Sequence, residues 1–572
     1  MIFTPTFCGG ETPLLEYPRP QFKRKSYFSL NGVWDYGISS SPRVYDGKIV
    51  VPYSPETELS GVLRALKKDE FLTYRRYFTL PNGFNKGRVL LNVGACDQVT
   101  EVYLNNELVG KNEGGYLPFT FDITFALRDG ENELVFIVTD NAESEVYGRG
   151  KQTYKPGGIW YRATSGIWQS VFLESVPQNY ISKVRLTPNY DERSLTVSPT
   201  LIGEGEFTVT VYDGETEIAT KTGCGELTLS LPTVKDWTPS SPELYVVKLN
   251  FSGDEVESYF GMRKFSLIEK NGVKTFALNN KPIFMNGLLD QGYYYQGYYT
   301  PKSNETMFNE VKAVKELGFN MLRKHIKVEP LLWYYYCDIL GVLVWQDMIN
   351  GGAKYKQLRI MLAPFINLRL KDNNYKSMGR SEKSRQQYKK EALLLQETLY
   401  NVTSLCLYTP FNEGWGQFDA VENTKMLMAN DPTRLYDHAS GWQDMGYGDV
   451  CSKHIYFRKI RLKNDGKRAL AVTEFGGYSL AVKGHESSSR KFGYKIMKNA
   501  EQLEKAYVKL YETEIIPEIY KSGLSGTVYT ELTDVEDEMN GIFTFDRVLK
   551  IKRQTLIELN KKIEKAFEEK FN

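Results

Sequence analysis

The chain has 572 residues, 72 Lys and Arg against 70 Asp and Glu, and 13% aromatic residues, too long for a single core and suited to roughly three or four domains, fewer if one is a large barrel. Its balanced charge leaves no footprint for nucleic acid, and no apolar run reaches the ~18 residues of a membrane span. A compact substrate is the expected partner, with aromatic-lined pockets to receive it.

The opening MIFTPTFCGGETPLLEYPRP lacks the basic start and apolar stretch of a secretory signal. The six cysteines are scattered without a Cys-x-x-Cys pair, and the four histidines are dispersed. A cytoplasmic location and no metal site are therefore expected.

From the start to residue 175, short β-rich runs (KIVVPYS, YRRYFTL, GRVLLNVG, TEVYLNNELVG, NELVFIVTD, WQSVFLES) alternate with turn residues, the pattern of an all-β sandwich. Asn105-Asn106 inside TEVYLNNELVG suits a tight hairpin, since Asn tolerates the left-handed conformation. Residues 176–268 continue with period-two strands (SKVRLTPNY, SLTVSPTLIG, EFTVTVYDG, LYVVKLNFSG), about the length of one immunoglobulin-like sandwich.

Within 269–572 strands alternate with helices. PIFMNGLL, NMLRKHI, VLVWQDM, SLCLYTP, RLYDHAS, VCSKHIY, ALAVTEFG and LSGTVYT are the strand candidates, and helices are expected over 306–317, 383–400, 495–521 and 553–567. This describes a (β/α)8 barrel better than an open sheet. The fourth strand then delivers Asn412-Glu413 and the seventh Glu474, and a barrel brings all its strand ends to one face. A carboxylate after a strand is also an ordinary helix cap. A facing pair, however, is the minimum equipment for cleaving an acetal: one acid protonates the leaving oxygen while the other, ionised, attacks the anomeric carbon. Their separation decides between retention and inversion, and the residues alone do not fix it.

SGIWQSVFLES, FALNNKPIFMNGLLDQGYY, GFNMLRKHIKVEP, WYYYCDILGVLVWQDM, YTPFNEGWGQFD, AVTEFGG and TELTDVEDEMNGIFTFDR, in this order, resemble glycoside hydrolase family 2, which holds β-galactosidases, β-glucuronidases and β-mannosidases. The resemblance covers nearly the whole chain and implies a jelly roll, an immunoglobulin-like sandwich and a TIM barrel. It further implies retaining chemistry, with Glu413 as acid/base, Glu474 as nucleophile and Asn412 holding the sugar 2-hydroxyl. Tyr456 resembles the family tyrosine that hydrogen-bonds the nucleophile, and His325 the histidine that contacts the sugar.

Arg323 alternates to the same face as His325 and could support the carboxylates or form an ion pair. Asp290 and Asp347 end the first and third strands, as sugar contacts or as structural pairs. His438 and Trp442 end the fifth strand, Trp415 follows Glu413, and each ring suits a sugar face or a core equally. Glu531 and Asp534 follow the eighth strand and could reach the ring.

The chain departs from the longer family members in ending soon after the barrel, so loops or a second subunit could shape the leaving-group side. Just after the eighth strand it also has no Asn-x-Lys of the kind β-glucuronidases use for the substrate carboxylate, and the Glu536-Asp537-Glu538 there would repel a uronate. The expectation is an exo-acting retaining β-glycosidase, β-galactosidase first, acting on a glycoside or oligosaccharide. Its alternatives are a β-glucuronidase or β-galacturonidase, with Arg323, Lys324 or Lys327 taking the carboxylate, and a carbohydrate-binding protein without catalysis. No cofactor is required, a structural cation stays open, and the basic loop 351–384 is either a solvated flap or a reader of the leaving group.

Overall fold

A computed structural model describes residues 7, 12–353, 362 and 371–571, so part of the basic loop 351–384 lies outside the described residues. The first sandwich packs a four-stranded antiparallel sheet on a six-stranded one, as in a jelly roll. Leu72, Val102 and Phe136 from one sheet meet Leu91, Val93 and Leu173 from the other. Strand Val99–Leu104 buries every second residue, the signature of a sheet with one wet face. Asn105 and Asn106, with φ of 51° and 73°, turn it into Glu107–Glu113.

Strands from Tyr180–Asn189 to Asp254–Phe260 form the smaller sandwich, three strands on four, around Leu195, Val197, Val209 and Val247. A hairpin of Phe265–Lys270 and Val273–Leu278 then crosses the boundary expected at residue 268. Phe276 on this hairpin joins the barrel core 5.8 Å from the Trp345 ring, which ties the sandwich to the barrel.

The barrel strands are β1 (Met285–Asp290), β2 (Met321–Lys324), β3 (Leu343–Asp347), β4 (Leu405–Thr409), β5 (Leu435–Tyr436), β6 (Val450–Ile455), β7 (Ala469–Gly476) and β8 (Leu524–Thr530). They pair in parallel in the order β5-β4-β3-β2-β1-β8-β7-β6. Every residue of β3 and β4 is buried, as expected where helices cover a parallel sheet. Strands β5 and β6 share no ladder. Asp449 joins them instead, its amide donating to the Tyr436 carbonyl at 2.8 Å and its carboxylate accepting the Tyr436 amide at 2.9 Å.

The helices around them include α1 (Asn304–Glu316), α2 (Leu331–Leu340), α3 (Glu382–Leu399), α4 (Ala420–Asn430), α5 (Ala500–Leu510), α6 (Ile516–Ser522) and α7 (Arg553–Phe571). Helix α2, LLWYYYCDIL, has no polar face because most of its side chains are buried, and a helical period is correspondingly hard to see in it. The helix expected over 495–521 is divided. Lys495–Ile496 pairs with Tyr478–Ser479, Asn499 caps α5, and a π turn over Tyr511–Ile515 precedes Pro517, whose missing amide cannot continue a regular ladder.

Candidate active site

Beyond β4 the chain turns sharply, and Glu413 takes a left-handed φ of 54° while its amide donates to the Ser440 carbonyl at 2.9 Å. A non-Gly residue held there marks a place where the surroundings dictate the backbone. Glu474, within β7, points to the same centre. A carboxylate oxygen of each glutamate and a ring nitrogen of His454 lie within 4.8 Å of one another. His454, from β6, brings Nδ1 to 2.7 Å from Glu413 Oε1 and 3.5 Å from Glu474 Oε2, while its Nε2 meets the Ser440 hydroxyl at 2.9 Å. Trp415 Nε1 donates to the other oxygen of Glu413 at 3.2 Å. Glu413 is thus held from both sides.

Glu474 is held differently, by groups that favour its ionised form. Arg323, fully buried, donates to Glu474 Oε1 at 3.1 Å, to Asn412 Oδ1 at 2.8 Å and to both oxygens of Asp347 at 3.0 and 3.1 Å. Tyr456 donates its hydroxyl to Glu474 Oε2 at 2.6 Å and stacks on Tyr494 at 3.7 Å between ring centroids. Burial alone would raise the Glu474 carboxyl, but His454, Arg323, His325 and the Tyr456 hydrogen bond outweigh it and hold the group below its ordinary value. Burial and the neighbouring negative charge of Glu474 push the Tyr456 hydroxyl well above its ordinary range, so it stays a donor. With Asn412 Oδ1 taken by Arg323, its Nδ2 is the group able to donate to a sugar hydroxyl.

Arg323→Met should leave Asp347 and Glu474 buried without their cation, at a cost of about 3–5 kcal/mol. Urea unfolding followed by tryptophan fluorescence measures this; a loss below about 1 kcal/mol would mean that the network relaxes without its arginine.

The pocket in front of the glutamates is lined by His325, Asn412, Trp415, Tyr456 and Tyr494 from the barrel, and by Arg149, Lys151 and Trp160 from the first sandwich. The Trp160 ring meets Trp415 edge-on at 5.9 Å. Lys151 Nζ lies 3.9 Å from Glu538 Oε2, and Tyr161 donates its hydroxyl to the same carboxylate. These sandwich residues and His454 escaped sequence reasoning. Loop insertions carry no period, and a histidine among strand residues reads as ordinary sheet; the one local sign was its place two residues before Tyr456.

Other residues singled out in the sequence stand behind the pocket. His325 does line it, its Nδ1 donating to Asp347 Oδ2 at 2.6 Å, and burial with nearby Lys151 lowers the imidazole below its ordinary value. Asp347 sits beneath, where burial would raise its carboxyl but Arg323 and His325 lower it. Asp290 accepts from Lys324 Nζ at 2.6 Å and the Gly292 amide at 2.8 Å. His438 is buried, takes the Met445 amide at 2.9 Å and is pushed down to about 4 chiefly by burial. The Trp442 ring lies 6.5 Å from that of His454. Glu531 is fully buried on Gln291 Nε2 at 2.9 Å, and burial with Glu538 raises its carboxyl well above the usual range. Asp534 is tied to Lys550. Lys324 and Lys327 are buried on Glu329, at 2.8 and 2.9 Å.

Residues 66–177 match the model described as glycosyl hydrolases family 2, sugar binding domain. A beta-galactosidase from Priestia megaterium is 26% identical over 353 residues, covering 57% of this chain and 33% of that protein. The chain spans about a third of the length of the first curated relatives it matches. A beta-D-glucuronidase structure from Dictyoglomus thermophilum superposes with a TM-score of 0.74 at 18% identity, over 96% of this chain and 98% of the other. A GH2 beta-galacturonidase from Eisenbergiella tayi, bound to galacturonate, gives 0.71 at 18% identity, over 96% and 99%. At such identity the two superpositions speak for a shared fold. Joined to the matched sugar-binding sandwich and the curated relatives, they support a likeness to glycoside hydrolase family 2.

Proposed function

We propose that the protein hydrolyses terminal non-reducing β-glycosides with retention of configuration. The observation that carries this reading is the approach of one carboxylate oxygen of Glu413 to one of Glu474 within 4.8 Å, compatible with the ~5–5.5 Å between the carboxyl groups of retaining pairs and short of the ~6.5–9.5 Å of inverting ones. In the first step a Glu474 oxygen bonds to the anomeric carbon while the glycosidic C–O bond breaks and Glu413 delivers its proton to the departing oxygen. In the second, Glu413 takes a proton from water, whose oxygen displaces Glu474 and restores the original anomer. Asn412 Nδ2 holds the 2-hydroxyl, and Tyr456 with Arg323 keeps Glu474 ionised between turnovers.

A β-galactoside is the sugar put first, because Glu538 on the pocket wall accepts hydroxyls and disfavours an anion. A uronide is the second reading, and a specific observation favours it. Arg149 and Lys151 line the pocket, and no ion pair to Arg149 is recorded among the described residues. The acidic run is also engaged, Glu536 by the Arg162 amide, Asp537 by Ser488 and Glu538 by Tyr161 and Lys151. A panel of p-nitrophenyl β-galactoside, β-glucoside, β-mannoside, β-glucuronide, β-galacturonide and α-arabinoside decides between them, with the product anomer read by proton NMR. Galactoside turnover giving the β-anomer first supports the proposal. Uronide turnover that falls with Arg149→Met selects the second reading, whereas an α-anomer or silence across the panel overturns the mechanism or the activity.

A further inference from the structure

A second cavity, of about 390 Å³ against about 40 Å³ for the catalytic pocket, opens on the same barrel face. The two share a wall. Trp160 and Glu538 face the glutamates, whereas Arg162, Glu536 and Asp537 face the larger cavity. Asp537 Oδ2 accepts the Gly158 amide across this wall, and the Tyr161 and Tyr293 rings pack 4.9 Å apart within it.

Two features of the cavity call for a ligand. Tyr295 is 50% exposed and is propped edge-on by Phe545 at 5.0 Å, which presents an aromatic ring to solvent. Arg162 is steadied by the Tyr298 hydroxyl at 2.9 Å, and Arg490 stands at the rim with no ion pair recorded among the described residues. A flat aromatic ring receives the CH face of a pyranose, and guanidinium and hydroxyl groups serve its hydroxyls. The lining sets Glu58, Asp534, Glu536 and Asp537 against Arg162, Arg490 and Arg547, so the cavity has no positive field to select a polyanion.

We propose that this cavity is a second carbohydrate site, which binds a neutral oligosaccharide outside the catalytic pocket, either the remote part of the chain being cleaved or a separate chain. It goes beyond the proposed hydrolysis and does not depend on it. The full-length protein carrying Glu474→Gln is titrated calorimetrically with neutral β-linked galacto- and gluco-oligosaccharides, alone and with Tyr295→Ala added. Turnover of the best p-nitrophenyl monoglycoside is measured for Tyr295→Ala in the otherwise unchanged protein. Loss of the aromatic platform should weaken oligosaccharide binding about tenfold, the equivalent of ~1.4 kcal/mol, with monoglycoside kcat/KM unchanged. A separate chain would bind even when the catalytic pocket is filled with the monosaccharide product, and a remote part of the substrate would be displaced by it; the Tyr295 effect supports the site in either case. Equal affinity with and without Tyr295, absence of oligosaccharide binding, or a parallel fall in monoglycoside turnover would each overturn it. A protein inactive on every glycoside that still binds oligosaccharide through Tyr295 would separate failure of the catalytic reading from failure of this one.

Discussion

Glu474→Gln should lower kcat/KM for the best p-nitrophenyl glycoside by on the order of 10⁴-fold, because it replaces the atom that bonds to the anomeric carbon in the proposed mechanism. The amide is nearly the same size and keeps contacts with Tyr456 and Arg323, so a large loss reports chemistry and not collapse. A 2-deoxy-2-fluoro glycoside of the preferred sugar should trap the intermediate in the unchanged protein, and peptide mass spectrometry should find the sugar on Glu474. The lowered carboxyl value has a further consequence for the acidic limb of the profile. Glu474 stays ionised below the ordinary Glu range, so kcat/KM should persist to a lower pH than an unperturbed glutamate would allow. Because its folded value lies below the unfolded one, its pairing also contributes stability above the ordinary range, which is lost as pH falls through the lowered value. A loss of less than tenfold, or label on another residue, would remove Glu474 from the role.

Glu413→Gln is the second large effect, and its size should depend on the leaving group. For a poor leaving group such as an alkyl alcohol or a second sugar, loss of the proton donor should cost about 10²–10⁴-fold. For a dinitrophenyl glycoside, whose phenolate departs without a proton, the first step should survive and the glycosyl-enzyme should accumulate. Added azide needs no general base, so it should restore turnover and yield a β-glycosyl azide. Trp415 and His454 already hold both oxygens of Glu413, and glutamine can keep these contacts only by fixing its amide one way round. Equal losses for good and poor leaving groups, with no azide adduct, would show that Glu413 does not act on the departing oxygen.

The barrel strands were legible because buried parallel strands are mostly apolar runs, and SLCLYTP ends just before Glu413 while ALAVTEFG holds Glu474 near its end. Asn105-Asn106 was legible because its residue type suits the required turn. Helix α2 was not, since burial removed the polar face that gives a helix its period. Arg323 could be picked out by its alternation with His325. Its four partners come from β3, from β7 and from the turn after β4, contacts that only the closed barrel defines. Arg149, Lys151 and Trp160 stood furthest from legibility: they lie more than 250 positions from Glu413 in an irregular segment, and nothing local marks them as part of its surroundings.

That division of the pocket between barrel and sandwich bears on how such a protein can change over time. In the proposed mechanism the two glutamates and their supports sit on or just after strands whose packing tolerates little alteration, while several of the side chains that would meet the sugar's outer hydroxyls hang on a loop of another fold unit. Substitutions or exchanges within residues 149–162 can therefore alter which glycoside is accepted while the two glutamates and their supports stay as they are. New substrates would then become reachable through heritable variation in a part of the chain that carries neither glutamate.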